Sequence, residues 1–385
     1  MEENLVIPYD WVAVKMNFWY KRIKENDPAR AEDAKKEVQK ELKQMEENQD
    51  ALLYYQLLEF RHNLMMSYMF PNSVRDLHTN YDNIIASMNN KKLNGLLEYY
   101  YYFFSGMYYF RQMEFTHSLR YYIQAEKCLK NLGADAILEQ AEFYFKLAEV
   151  YYYMKQTHFS MNYADEACRL YKKQTDEEGK NIYDVQLLRC EFVKYGNLLD
   201  NYEYNKALKK AEKAFLTASK LNKEEKNREF LIRTALFNLG VCYYKMEELE
   251  KSVTILCKSL AIANPEDNNF MATALFLIAY TKGKQKDYTG ARDYFNKSKH
   301  FAEKANNKLI LAKLKMVEGL FLEHDLSKVR EAFEFFNEKK HFADKEDFGE
   351  SVGNILFSRS DAWGASEFYR YAIEAKRQIE RGEFS

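Results

Sequence analysis

The sequence predicts an all-α protein, and three observations carry that prediction. Only 4 prolines and 13 glycines interrupt 385 residues, so few positions force a helix to stop. Through the first 70 positions apolar residues recur at spacings of three and four, the period of one helical face. Beyond about residue 96, small and bulky residues return in a fixed order, which marks a stack of helix pairs rather than one bundle. A hydrophobic content of 47%, with 16% aromatic residues, is enough to bury a large core across two or three domains.

The first helix is expected from Tyr9 to Lys24, ended by "ENDP" with Pro28. Ala31, Ala34, Val38, Leu42 and Met45, spaced 3, 4, 4 and 3, make the stripe of a second. Leu53, Leu57, Phe60 and Leu64 make that of a third. Residues 1–70 therefore read as a three-helix bundle. "FPNSVRDLHTN", with Pro71, reads as a hinge opening a linker over 71–95, and 96–385 as the repeat domain.

In that domain a small residue, an aromatic or leucine, two further small residues and a bulky one keep a constant register. Gly106, Tyr109, Ser118, Tyr122 and Ala125 fit it, as do Ala148, Tyr151, Ser160, Ala164 and Ala167. Further units hold Leu198, Ala207, Ala211 and Ala214; Gly240, Tyr243, Ser252, Leu256 and Ser259; and Ala279, Ala291, Phe295 and Ser298. A weaker unit surrounds Gly319 and Phe335, and the last contains Gly353, Leu356, Ala365, Tyr369 and Ala372. This is the tetratricopeptide pattern, about seven times over, with most steps longer than 34 residues because linkers such as "TDEEGKNIYD" and "KLNKEEKNREF" are long. Such pairs stack into a right-handed superhelix whose concave wall suits an extended peptide.

Composition excludes several functions. Lys plus Arg (57) balances Asp plus Glu (58), which removes the basic excess that direct nucleic-acid binding needs. No apolar run reaches the roughly 18 residues of a membrane span, and "MEENLVIPYDWV" lacks a signal peptide's basic and apolar segments, so a cytoplasmic protein without a membrane partner is expected. Cys128, Cys168, Cys190, Cys242 and Cys257 form no CxxC pair and read as buried packing residues in a reducing compartment. The seven histidines make no HExxH or His–Cys cluster, so no metal site is expected. GxGxxG, P-loop and GxSxG motifs are missing.

"MEENQDALLYYQLLEFRH", Met45 to His62, puts Gln49, Leu52, Gln56 and Phe60 on one face of the third helix, beside the core seam of Leu53, Leu57 and Leu64. Position alone makes Asn48 a cap, Asp50 a partner of the helix dipole and Gln49 a solvated side chain. In the repeats, the concave positions of the first helix of each pair hold Glu142, Phe145, Glu149, Tyr152 and Tyr153; Phe192 and Asp200; Phe237 and Asn238; and Phe276 and Tyr280. An asparagine such as Asn238 can satisfy both polar groups of one peptide unit, and Asp200 is either a solvated helix end or the partner of a cation. The aromatic wall positions serve the repeat core equally well.

"MEENQDALLYYQLLEFRH", "YYYMKQTHFSMNYADEA" (Tyr151 to Ala167) and the seven-unit array resemble the Rap proteins of bacilli over nearly the whole chain. The resemblance implies a three-helix bundle that binds response regulators, a linker, and a tetratricopeptide domain that binds a Phr-type pentapeptide. It implies that Gln49 matches the glutamine that dephosphorylating members insert into a receiver's active site. Asn48 stands where those members commonly carry an acidic residue. Leu52 and Phe60 match apolar docking positions, with Gln56 on the same face. Asp200 in "GNLLD" and Asn238 in "LFNLG" match the residues that grip Phr peptides, and Glu149, Tyr153, Phe237 and Phe276 are the further contacts that repeat geometry offers.

The chain is then expected to carry no cofactor of its own, the receiver supplying a divalent metal. Three outputs stay open at this level. The first is a phosphatase acting on the sporulation phosphorelay receiver, and the second an anti-activator that sequesters a DNA-binding regulator such as ComA with its first two helices. The third is a peptide-gated regulator of another partner, encoded on a phage or mobile element and without phosphatase activity. Both a monomer and a peptide-dependent dimer are compatible with the sequence.

Overall fold

A computed structural model describes residues 7–25, 27–69, 77–88, 93, 95–132, 136–174, 183–221 and 228–383. Most of the hinge string around Pro71 and of the two long linkers lies outside the described residues. The chain forms two compact units, Met1–Glu139 and Gln140–Ser385. Among the described residues no helix is long and apolar enough to cross a membrane.

The first unit opens with α1 (Tyr9–Lys24), α2 (Pro28–Leu42) and α3 (Gln49–Met69). On α1 the buried residues are Val12, Met16, Trp19, Tyr20 and Ile23, the expected three-and-four spacing. Asp27 caps α2 by accepting from the Arg30 amide at 3.1 Å, and Pro28 takes the first turn, where its missing N–H costs nothing. Ala31, Ala34 and Val38 bury the α2 stripe, while Leu42 and Met45, at and beyond the helix end, are half-buried. Leu53, Leu57 and Leu64 form the α3 seam.

The stretch read as linker contains a further helix, α4 (Leu77–Met88). Its apolar Tyr81 and Ile84, three residues apart, are both buried. The Tyr81 ring stacks on Tyr108, centroids 4.2 Å apart, and lies 5.5 Å from Phe60. Tyr108 belongs to α5 (Gly95–Arg111), which pairs with α6 (Phe115–Asn131) as the first repeat.

The second unit continues with α7 (Ile137–Tyr153), α8 (Thr157–Lys172), α9 (Asp184–Asp200), α10 (Tyr204–Lys220), α11 (Arg228–Lys245) and α12 (Leu249–Ile262). It ends with α13 (Asn268–Lys284), α14 (Tyr288–Lys304), α15 (Lys308–Val317), α16 (Leu326–Glu338), α17 (Phe342–Ser358) and α18 (Ala362–Glu380). After α15 the chain makes a π-turn, closed by the Glu323 amide donating to the Glu318 carbonyl at 2.9 Å, five residues back. From α5 to α18 the described helices form seven pairs.

Two rules recur among the pairs. A small residue on the first helix faces a bulky one sixteen positions later on the second: a Cβ on Gly106 would come within 2.4 Å of the Tyr122 ring, and one on Gly353 within 2.5 Å of Tyr369. In the third pair the sizes exchange, with buried Tyr195 and Ala211 in one apolar cluster. Summed volume is kept, so the helices still close. The second rule is a serine twelve positions on: Ser118, Ser160 and Ser252 donate to the carbonyls of Gly106, Ala148 and Gly240, each at 2.8 Å.

The two helices of a pair are joined by a tight turn through one left-handed residue, as at Met113, Lys155, Tyr202, Glu247 and Lys286. All five cysteines are free thiols. Cys168, Cys190 and Cys242 are buried as expected, whereas Cys128 and Cys257 are only half-buried.

Candidate functional site

Two regions carry the residues singled out in the sequence, one in each unit. In the first unit the start of α3 is built by its preceding loop. The Ile7 amide donates to the Gln44 carbonyl at 2.8 Å, the Glu46 amide to the Ile7 carbonyl at 3.0 Å, and the Tyr9 amide to Glu46 Oε1 at 3.0 Å. Asn48 Oδ1 then accepts from the Ala51 amide at 3.0 Å, closing the helix end. Directly after this cap stands Gln49, exposed, and on the same face follow Leu52, 38% exposed, and the exposed Gln56.

Phe60 corrects the expected stripe. It is 2% exposed and packs on Tyr81 and Tyr108, with ring centroids 5.5 and 6.0 Å away. The reason is α4, which covers the second half of α3, so the open face ends before Phe60. A second open face was missed from the sequence. On α1, Trp11, Val14 and Phe18 are 59%, 64% and 49% exposed at spacings of three and four, opposite the buried stripe. That periodicity was readable; which of two apolar stripes faces inward was not.

In the second unit a cavity of about 920 Å³ is lined by the ends of α7, α9, α11 and α13 and by the flank of α17. Asp200, the last residue of α9, faces it among Lys155, Lys245, Glu346 and Asp347. Lys155 Nζ lies 2.9 Å from both Glu346 Oε2 and Asp347 Oδ1, and Lys245 Nζ 3.5 Å from Asp347 Oδ2. Burial alone would raise the Asp347 carboxyl, but Lys155 and Lys245 override it and hold Asp347 at about 2. Burial pushes Asp200 up to about 6, against the pull of Lys155. Among the described residues no hydrogen bond or ion pair engages the Asp200 carboxylate. It is a partly desolvated anion open to a ligand's cation.

Of the other expected wall residues, none lines this cavity. Asn238 is half-buried two turns before Lys245 on the same face of α11, and its amide makes no hydrogen bond among the described residues. Half-buried Phe237 packs edge-on to Phe270, centroids 5.6 Å apart. Glu149 is held by Lys146 at 2.6 Å, and Tyr153 is 46% exposed. Phe276 corrects the expectation: it is 4% exposed, inside an apolar cluster with ring neighbours Tyr280 and Phe348. The wall position it was assigned is covered because α17 packs its Phe348 across it.

Residues 6–67 match the family model described as response regulator aspartate phosphatase H, N terminal. Response regulator aspartate phosphatase I of Bacillus subtilis (strain 168) is 41% identical over 98% of this chain and 93% of its own. The chain belongs to the Rap family. A crystal structure of a Rap protein complexed with competence and sporulation factor is 33% identical, covering 97% of this chain and 99% of that one with a TM-score of 0.86. The apo form of RapI is 40% identical, covering 97% and 100%, with a TM-score of 0.65.

Within this Rap fold, the sequence reading found Asp200 but missed its cationic neighbours. A signal existed for one of them: Lys245 stands four residues before the second helix of its pair, the same repeat position as Asp200, whereas Lys155 stands two before its own. Glu346 and Asp347 had no such signal, because what brings α17 opposite α7 is the curvature of the stack.

Proposed function

We propose that this protein is a peptide-controlled regulator of response-regulator signalling. The observation that carries the reading is the unpartnered, partly desolvated Asp200 carboxylate in a cavity large enough for several peptide residues. A Phr-type pentapeptide would place a cation there, and Asn238, with its amide uncommitted, would hold one peptide unit further along α11. That relatives carry response regulator phosphatase names, and that one is crystallised with competence and sporulation factor, supports the same reading.

The output lies with the first unit. The exposed Gln49, Leu52 and Gln56 would meet a receiver domain, and the α1 stripe of Trp11, Val14 and Phe18 a DNA-binding regulator such as ComA. Against a receiver's aspartyl phosphate, the Gln49 amide can both donate to and accept from an attacking water, holding it in line; the receiver itself supplies the divalent metal. Peptide binding would shift the protein away from the state that binds its regulator, a two-state change.

Purified protein is mixed with phosphorylated sporulation receiver and, separately, with ComA on its DNA, each with and without peptide. Phosphate loss that falls about a hundredfold in Gln49→Ala supports the phosphatase output. Phosphate loss that survives Gln49→Ala sinks that mechanism, and ComA leaving its DNA while phosphate is untouched identifies the anti-activator. Activity on neither partner points to a different regulator, the reading in which the gene travels on a phage or mobile element.

A further inference from the structure

In the cavity wall one carboxylate serves two lysines. Asp347 takes Lys155 on one oxygen at 2.9 Å and Lys245 on the other at 3.5 Å. Asp200 lines the same cavity as both lysines, and its charge also acts on each of them. Two ammonium groups thus share one cavity wall with two acids, and lysine's four-carbon stem is flexible enough to change partner. Here both turn to Asp347. The helix that carries Asp347 is fixed in place: Tyr280 Oη and Ser351 Oγ are 2.9 Å apart, and Tyr202 Oη donates to Glu350 at 3.4 Å.

We propose that Asp347 is a positioning residue for ligand recognition: by holding Lys155 and Lys245, it keeps the Asp200 carboxylate open for the cationic group of a bound peptide. This rests on the reading of the cavity as a peptide site. Without Asp347 the two lysines have Asp200 as their shared partner, and an internal cation then occupies the place of the ligand's. Asp347 thus governs charge selectivity at Asp200 without touching the ligand. Glu346 does not replace it, since it engages Lys155 and not Lys245.

The test uses the full chain and five free pentapeptides with a single arginine moved through an alanine background, each against its neutral citrulline counterpart, by calorimetry. In the wild type, arginine at one position binds about tenfold more tightly than citrulline, and Asp200→Asn abolishes that ratio. Asp347→Asn brings the ratio close to one. The triple variant Asp347→Asn, Lys155→Met, Lys245→Met, which removes both internal cations and so needs no new partner for them, restores it.

A ratio that stays high in a folded Asp347→Asn protein overturns the inference. So does a ratio that stays near one in the triple variant, because Asp347 would then bind the ligand itself or act only on the fold. If the wild type shows no arginine preference at any position, or Asp200→Asn keeps it, the assignment of Asp200 as the cation site falls instead.

Discussion

The indole Nε1 of Trp19 donates to Nδ1 of His62 across 3.2 Å, pinning α1 to α3 with both side chains almost fully buried. Burial, reinforced by Lys35 and Arg61, pulls the imidazole down to about 4, so it stays a neutral acceptor. The unfolded chain titrates near 6.5 and therefore binds more protons between those values. Stability is full above about pH 6.5 and is lost as pH falls toward 4, by on the order of 3 kcal/mol. Urea unfolding followed from pH 7.5 to 4.5 checks this: the wild type should decline more steeply than His62→Gln, and parallel curves would refute it.

Gly106 and Tyr122 test the packing rule of the repeats. Gly106→Ala should cost about 1–3 kcal/mol, because its Cβ has no room beside the ring. Combining it with Tyr122→Ala should cost less than the two changes separately, since the smaller residue removes the clash. A double-mutant cycle that comes out additive would mean that the helices move apart freely.

Asn48 and Gln49 are adjacent but do different work. Asn48→Ala removes the α3 cap and should lower stability by about 1 kcal/mol. Gln49→Ala, at an exposed position, should change stability by less than about 0.5 kcal/mol while changing the output on a phosphorylated receiver. Thermal melts set beside phosphate-release rates separate the two; a cap variant that loses only activity would contradict the assignment.

Asp200 is expected to trade stability for binding. With its folded pKa raised to about 6, the folded protein holds the extra proton between about 4 and 6, and the charged form is the disfavoured one above that range. Asp200→Asn should therefore stabilise the protein at pH 7.5 by on the order of 1–3 kcal/mol and make no difference below pH 4. Binding of a cationic peptide by the wild type should weaken as pH falls through 6, and calorimetry at pH 5 and 7.5 measures it. A pH-independent affinity would place the cation elsewhere.

The helix pairs were legible because their spacing rules are local: a glycine sixteen residues before a tyrosine and a serine twelve after a glycine appear directly in the chain. Asn48 as a cap was legible for the same reason. Phe60 and Phe276 were misplaced because each lies on a helix with two apolar faces, and only a third element, α4 for one and α17 for the other, selects which face is covered. Helix α4 itself was hidden by the turn-rich residues around it.

An all-α chain, a three-helix opening, about seven stacked pairs, the Gln49 face and the Asp200 anion were all legible in the chain, since each follows from periodicity or from residue chemistry over short range. What the chain does not show is that Asp347, 147 positions after Asp200, comes to line the same cavity and pairs there with Lys155 and Lys245. That meeting depends on the accumulated turn of five successive repeats. Curvature is a sum of many small packing angles, and no single residue encodes it.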